Sequence, residues 1–253
     1  MMTTNGLDFA IDDRGVADIR LNRPDAANAL DMDVAEGLAA AVQRIERDGV
    51  RVVRLSAAGR LFSGGGDVHG MAAAPDRERF LAELAGSVHR SLIALDRLPV
   101  PVVAAVQGTA AGGGLGLVLA ADVVIATPKT SFVAAYSTIG LSPDCGVSIN
   151  LPRTVGLGRA LRMLVRNEKI DAATALDWGL VHEVVEAEQL ESATDDVVAL
   201  LLDRPTAAIG HARRLARASF GRTFADHLDD EAATIARLGA GTETGALLAR
   251  FAG

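Results

Sequence analysis

The sequence predicts an α/β fold made of repeated ββα units and completed by a helical carboxyl-terminal region. Three observations carry the prediction. Short runs with strand character alternate with helical stretches from Leu7 to Val185, the rhythm of a layered α/β chain. Twice, at Phe62 to Met71 and at Gln107 to Asp122, a strand passes through a glycine-rich turn into a helix. From Glu188 onward strand signals stop and the chain becomes alanine- and arginine-rich helix. We therefore divide it into residues 1–187, a core that holds the functional site, and residues 188–253, a helical region that packs on its own chain and on a neighbour.

Taken in order, Leu7 to Asp12 and Val16 to Leu21 alternate in polarity around Asp13-Arg14-Gly15, which is a hairpin signal. A loop from Asn22 to Leu30 follows. Asp31 then suits the N-cap of a helix running to about Asp48, with Gly49 ending it. Val50 to Ser56 reads as a third strand. Arg77 to Leu98 places Phe80, Leu84, Val88, Leu92 and Leu95 on one stripe, as a long amphipathic helix does. Pro99 to Val106 is a proline-bounded, valine-rich run suited to a buried strand, Val123 to Ala126 is the next, and Ser131 to Val133 is a short one. Val155 to Val165 and Asp171 to Leu180 read as helices, and Val181 to Val185 as the last strand. Ala207 to Ser219, Asp226 to Leu238 and Thr242 to Phe251 are helices of the tail.

Composition narrows the functional classes. A chain of 253 residues that is 49% hydrophobic can bury a sizeable core. Its formal charge of -7 argues against non-specific nucleic-acid binding. No apolar run approaches the roughly 20 residues a membrane-spanning helix needs. The single cysteine, Cys145, can form no internal disulfide, and the start from Met1 to Asp8 shows no charged segment followed by an apolar one. A cytoplasmic protein is the expectation.

Chemistry concentrates at Gln107 to Asp122. No side chain from Leu115 to Ala121 is polar, so this helix is expected to be buried on every face, with its first-turn N–H groups lacking intrahelical partners. Such a terminus suits negative charge. Gly112, Gly113 and Gly114 let a ligand approach the backbone closely; taken alone, the stretch fits tight helix-on-strand packing equally well. A dinucleotide site is disfavoured, because no complete Gly-x-Gly-x-x-Gly is present and the following strand runs into Thr127-Pro128 without an acid. Ser63 lacks the first glycine of a nucleophile elbow, Leu61 standing there, and reads as structural. His69, His89, His182, His211 and His227 show no metal spacing.

Asn22-Arg23-Pro24 with Asn28-Ala29-Leu30, Phe62-Ser63-Gly64-Gly65-Gly66-Asp67, Gly112-Gly113-Gly114 and Trp178-Gly179-Leu180-Val181 together resemble the enoyl-CoA hydratase/isomerase family, the crotonases. The resemblance spans nearly the whole chain in the same order. It implies the crotonase spiral of ββα units, a C-terminal helical trimerisation region, and trimers or dimers of trimers. It implies an acyl-CoA thioester as ligand, with CoA belonging to the substrate and no metal or redox cofactor. Position by position, the two backbone N–H groups that hold the thioester oxygen in the family fall on Gly66 and Gly113. The substrate-contacting positions fall on Ala26, Ala27, Gly64, Gly65, Asp67, Val68, His69, Gly116 and Tyr136. His69 is placed near the nucleotide end of CoA or on the solvated surface, and Arg23 and Arg60 meet CoA phosphates or solvent.

The departures from the family pattern point to the reaction. The two glutamates of family hydratases fall on Gly116 and Tyr136, and hydration needs a group to activate water and another protonation step. The remaining carboxylate, Asp144 in Gly140-Leu141-Ser142-Pro143-Asp144-Cys145-Gly146, resembles the aspartate of the dienoyl-CoA and epoxyphenylacetyl-CoA isomerases, as does Leu151-Pro152-Arg153-Thr154-Val155-Gly156. One carboxylate suffices for a proton shift, so the expected activity is an acyl-CoA isomerase with Asp144 as acid/base. Ile139, Leu141 and Val147 suggest an apolar setting for it. Capping of the helix after Pro143 is the other reading of Asp144. Tyr136 either donates a hydrogen bond to substrate or walls the acyl pocket. Cys145, with no histidine close in sequence, reads as a small buried residue. The pocket walls are expected from Met71 to Val88 and from a neighbour's tail. An enoyl-CoA hydratase, an acyl-CoA hydrolase, and a non-catalytic acyl-CoA binding or carrier protein are the alternatives.

Overall fold

The computed structural model describes residues 2–4 and 6–252; Met1 and Asn5, part of the amino-terminal stretch read above, lie outside the described residues with Gly253. Strand β1 (Met2–Thr4) lines the edge of a sheet. Strands β2 (Leu7–Ile11) and β3 (Val16–Leu21) form the expected hairpin, with Leu7 opposite Leu21. Its turn is fixed by Asp12, whose carboxylate accepts from the N–H groups of Arg14 at 3.0 Å and Val16 at 2.8 Å. Helix α1 (Met32–Arg47) starts where Asp31 accepts from the Val34 N–H at 2.9 Å, satisfying a donor the helix itself leaves open.

Strand β4 (Val52–Ala57), helix α2 (Val68–Ala73) and helix α3 (Arg77–Arg97) follow, then β5 (Val102–Val106), β6 (Thr109–Ala111) and α4 (Gly113–Leu119). All seven residues of α4 are buried, as its lack of polar side chains requires. Next come β7 (Val123–Ala126), β8 (Ser131–Val133), α5 (Val147–Val155), α6 (Leu157–Val165), β9 (Ile170–Asp171), α7 (Ala172–Asp177) and β10 (Glu183–Val184). The helix expected over Val155 to Val165 is α6, starting two residues later at Leu157, and Val155 is the last residue of α5. Gly156 at φ +83° ends α5, a left-handed position that glycine accepts without strain.

The main sheet runs β1-β2-β3-β4-β5-β7-β10, antiparallel through β3 and parallel beyond it. Side chains alternate across it. In β5, Val102, Ala104 and Val106 face the main core, while Val103 joins Val16, Val52 and Ile125 on the opposite face. That opposite face is covered by α8 (Leu190–Leu202), through Val198 and the flanking Leu190, Val197 and Leu201. The helical region beginning at residue 188 therefore starts inside the packed layers. Helices α9 (Thr206–Ala218), α10 (Phe224–Gly239) and α11 (Thr242–Ala252) extend from there.

Arg213 of α9 bolts this region to the core. Its guanidinium donates to Asp122 Oδ2 at 2.7 Å and to the carbonyls of Leu95, Asp96 and Leu98 at the end of α3. The Leu95 carbonyl also accepts from the Leu98 N–H at 3.3 Å, while those of Asp96 and Leu98 lie past the last donor of the helix, and Asp122 also accepts from the Val102 N–H at 2.8 Å.

Successive turns of the chain lie side by side in an inner layer. Leu30 bridges Gly66, Ser63 bridges Ala110, and β6 pairs with β8, each in parallel, with β9 closing the layer. The first unit contributes only the isolated bridge at Leu30 and the second only those at Ser63 and Gly66, where the third contributes strand β6.

Candidate active site

Two glycine loops meet because of that parallel register. Ser63 N–H donates to Thr109 O at 3.1 Å and Ala111 N–H donates to Ser63 O at 2.9 Å. Ser63 is fully buried, its hydroxyl donating to Asn28 O at 2.8 Å, so the serine is structural as expected. Pairing Ser63 with Ala110 carries forward to bring Gly65 against Gly112: a Cβ added to Gly65, at φ +98°, would lie 3.0 Å from Ala111 O and 3.5 Å from Gly112 Cα. Only glycine fits that approach. The same register sets Gly66 beside Gly113, and both line one cavity.

The N–H groups at these positions are available. Leu30 N–H donates to Gly65 O and Leu30 O accepts from Asp67 N–H, so the Leu30 bridge uses the residues flanking Gly66 and leaves its own N–H unengaged. Gly113 is the first residue of α4, where the helix supplies no acceptor. Among the described residues neither N–H has a hydrogen-bond partner.

The cavity, of about 430 Å³, is walled on one side by Met71 and by Leu81, Ala82, Leu84, Ala85 and Val88 of α3, and on the other by Tyr136, Ile139 and Leu141. Asp144 is the one carboxylate in its lining. The capping alternative for Asp144 fails: α5 has Gly146 as its N-cap with no side-chain cap bond, and Val147 N–H uses the backbone oxygen of Asp144 at 2.9 Å. The carboxylate instead accepts from the Tyr136 hydroxyl at 2.7 Å through Oδ1. Tyr136 is thus both wall and donor, but the donor serves Asp144. Burial, then the Asp144 charge, push the Tyr136 hydroxyl far above its usual value, so it remains a protonated donor. The Cys145 thiol is pushed up by burial and by Asp144 in the same order, and is not a nucleophile. Asp144 itself is less enclosed than its apolar neighbours suggested, with 37% of its side chain exposed.

A residue that sequence reasoning missed stands behind the carboxylate. His89 of α3 accepts from the Cys145 N–H through Nε2 at 3.0 Å, and the same nitrogen lies 4.0 Å from Asp144 Oδ2. Cys145 thus does have a histidine nearby. The signal available was the place of His89 next to Val88, at the edge of the apolar stripe of α3.

Other expected positions are spread out. Gly64, Gly65, Val68 and Tyr136 line the cavity with Gly66, Gly113 and Asp144. Ala26 is exposed and Ala27 packs against Gly64, neither reaching the lining. Asp67 is engaged as the N-cap of α2, accepting from Gly70 N–H at 3.1 Å, so its carboxylate is directed to the helix. His69 is exposed and outside the lining. Gly116 lies behind the cavity wall, where an added Cβ would be 2.5 Å from the Cys145 carbonyl oxygen; it has no space for a side chain and makes no part of the lining. Arg23 pairs with Asp31 and donates to Ala29 O, while Arg60 is exposed.

Comparison with known proteins matches residues 12–244 to the family model described as enoyl-CoA hydratase/isomerase. A 1,2-epoxyphenylacetyl-CoA isomerase of Escherichia coli is 34% identical over 229 residues, 87% of this chain and 85% of that one. A Rhodobacter capsulatus protein classed as an enoyl-CoA hydratase is 38% identical over 226 residues, 89% and 86% of the two chains. A crystal structure from Mycobacterium abscessus, described as an enoyl-CoA hydratase/isomerase, superposes with a TM-score of 0.91 at 37% identity, covering 97% of this chain and 95% of that one.

Proposed function

The chain belongs to the enoyl-CoA hydratase/isomerase family, and on that premise we propose that it is an acyl-CoA isomerase that shifts a double bond through a thioester enolate. Asp144 takes a proton from the carbon next to the thioester carbonyl. The charge that develops on the carbonyl oxygen is held by the N–H groups of Gly66 and Gly113, and Asp144 returns the proton two carbons along the chain. No proton is gained or lost overall. Each preorganised donor in such a hole contributes about 3 to 4 kcal/mol to the transition state.

The observation that carries the reading is that the cavity holding both unengaged N–H groups contains a single carboxylate. One acid/base fits a proton shift within the substrate and falls short of the paired groups that water addition calls for. Gly116 supplies no second carboxylate and no room for one. The relative named as an isomerase supports the reading; the relative classed as a hydratase makes water addition the reaction to test beside it.

The test is conversion of a 3-enoyl-CoA to the conjugated 2-enoyl-CoA, followed by absorbance, for the wild type and Asp144→Asn. Turnover lost in the variant supports the reading. Hydration of a 2-enoyl-CoA without double-bond migration overturns it. We further propose a cytoplasmic trimer or dimer of trimers, supported by the apolar side chains Phe220, Phe224, Ile235, Leu248 and Phe251 exposed on the tail. Among the described residues no helix is long and apolar enough to cross a membrane. Light scattering reads the assembly.

A further inference from the structure

The peptide that joins Asp144 to Cys145 is held at both of its polar atoms. Its carbonyl accepts from Val147 N–H at 2.9 Å and from the Tyr136 hydroxyl at 3.3 Å. Its N–H donates to His89 Nε2 at 3.0 Å. A ring nitrogen that accepts a hydrogen bond carries no proton, so His89 is neutral here with its proton on Nδ1. Cys145 needs this grip. Its φ is +50°, a left-handed conformation that costs a side-chain-bearing residue of order 1 kcal/mol and persists only where the surroundings impose it. From behind, its carbonyl abuts Gly116; from α3, His89 holds its N–H.

We propose that His89 is a positioning residue for the proton transfer: its neutral imidazole fixes the Asp144–Cys145 peptide and thereby aims the Asp144 carboxylate into the cavity beside Gly66 and Gly113. The inference rests on Asp144 being the acid/base of the site. The same geometry couples it to acid. A protonated ring has donors at both nitrogens and cannot accept the Cys145 N–H. The carboxylate oxygen nearest to Nε2 is Asp144 Oδ2, at 4.0 Å. Protonation therefore releases the peptide and sets a cation against the group that must accept the substrate proton. Asp144 and Cys145 face His89 from the loop, Tyr136 stands beyond Asp144 Oδ1, and the exposed Arg90 follows His89 on α3. Among the described residues Asp144 is its one ion-pair partner.

His89→Ala and His89→Gln test this with the 3-enoyl-CoA assay across pH. Alanine removes the acceptor, and kcat is expected to fall about 10-fold or more while KM changes less than about 3-fold, the pattern of a group that acts on the chemical step. Glutamine offers an amide oxygen to the same N–H but takes no proton. It is expected to recover most of the lost kcat at pH 8 and to shift the acid limb of the pH profile to lower pH. Superposable acid limbs for wild type and His89→Gln overturn the proposal, as does full kcat in His89→Ala. A readout without turnover separates this inference from the isomerase reading. In 15N NMR of the wild type the ring is expected as the Nδ1–H tautomer, with the Cys145 amide signal moving as the ring is protonated. A Cys145 amide indifferent to that protonation overturns the role of His89. If the wild type isomerises nothing, the Asp144 reading falls, and the NMR result still decides whether His89 holds the peptide.

Discussion

Tyr136 Oη donates to Asp144 Oδ1 at 2.7 Å, joining the chain's one tyrosine to the one carboxylate in the cavity lining. In the proposed reaction the bond leaves Oδ2 as the oxygen to meet a substrate proton. It also restrains rotation of the carboxylate, which matters because a shift between two carbons needs one oxygen to reach both.

Removing that restraint is a direct probe. Tyr136→Phe keeps the wall and deletes the donor, and kcat is expected to fall about 10-fold with the KM for a 3-enoyl-CoA little changed, a split that marks loss of orientation more than of binding. Steady-state kinetics on both proteins decide it.

Ionisation of the same hydroxyl can be seen directly. With one tyrosine in the sequence, phenolate absorbance near 295 nm reports Tyr136 alone. Burial and the Asp144 charge raise it well above 10.0, so the folded protein is expected to show no phenolate signal until alkaline unfolding releases it. A smooth native-state titration near pH 10 contradicts the buried geometry.

Stability follows with a definite sign. Tyr136 and Cys145 both have folded-state values raised above their ordinary 10.0 and 9.0, so the folded state holds their protons more tightly than the unfolded chain. Their contribution is fully present below pH 9 and is lost as pH climbs through the alkaline range. Urea melts from pH 8 to 11 are expected to show falling stability, with a shallower fall in Tyr136→Phe.

At Gly116 the prediction is steric. Gly116→Ala places a Cβ 2.5 Å from the Cys145 carbonyl oxygen, and relieving that contact moves the Cys145–Gly146 peptide, which adjoins the one that carries Asp144. Loss of kcat together with a lower melting temperature is expected. Gly158→Ala, in the first turn of α6, is the control: nothing lies within 4 Å of its added Cβ, and kcat and melting temperature are expected to hold. Equal behaviour of the two variants would remove the steric account.

The last prediction concerns Arg213, whose side chain is 5% exposed and pairs with Asp122. Arg213→Ala leaves Asp122 with Arg217 at 2.8 Å and the Val102 N–H but removes the donor to the final carbonyls of α3, and is expected to cost about 1 to 3 kcal/mol in a denaturant melt. Since Arg213 is not among the residues of the cavity lining, the KM of the folded fraction should hold.

What was legible in the sequence was what neighbours along the chain decide. The Asp31 cap, the hairpin closed at Asp12 and the buried α4 depend on residues a few positions apart, so composition and period expose them. The open N–H groups of Gly66 and Gly113 were pointed to only through family resemblance, because an N–H carries no side-chain signature. The pairing of His89 with Cys145 was not legible, since it spans 56 positions, and helical period places His89 at the edge of an apolar face without reporting which loop that face meets. Likewise Asp67 and Gly116 matched binding positions of the family, yet local geometry gives the first to a helix cap and the second to packing against Cys145.

The pairing of Ser63 with Ala110 has a further consequence for how such a site can change over generations. The two unengaged N–H groups, of Gly66 and Gly113, belong to the backbone and are located by loop alignment, so they are inherited with the backbone and not with any particular side chain. Substitutions at Tyr136, His89 or Asp144 can therefore alter the side chains around the cavity while the pair of open N–H groups passes on intact. A shift of the Ser63 loop by one residue would have the reverse effect, parting the two N–H groups while leaving those side chains in place.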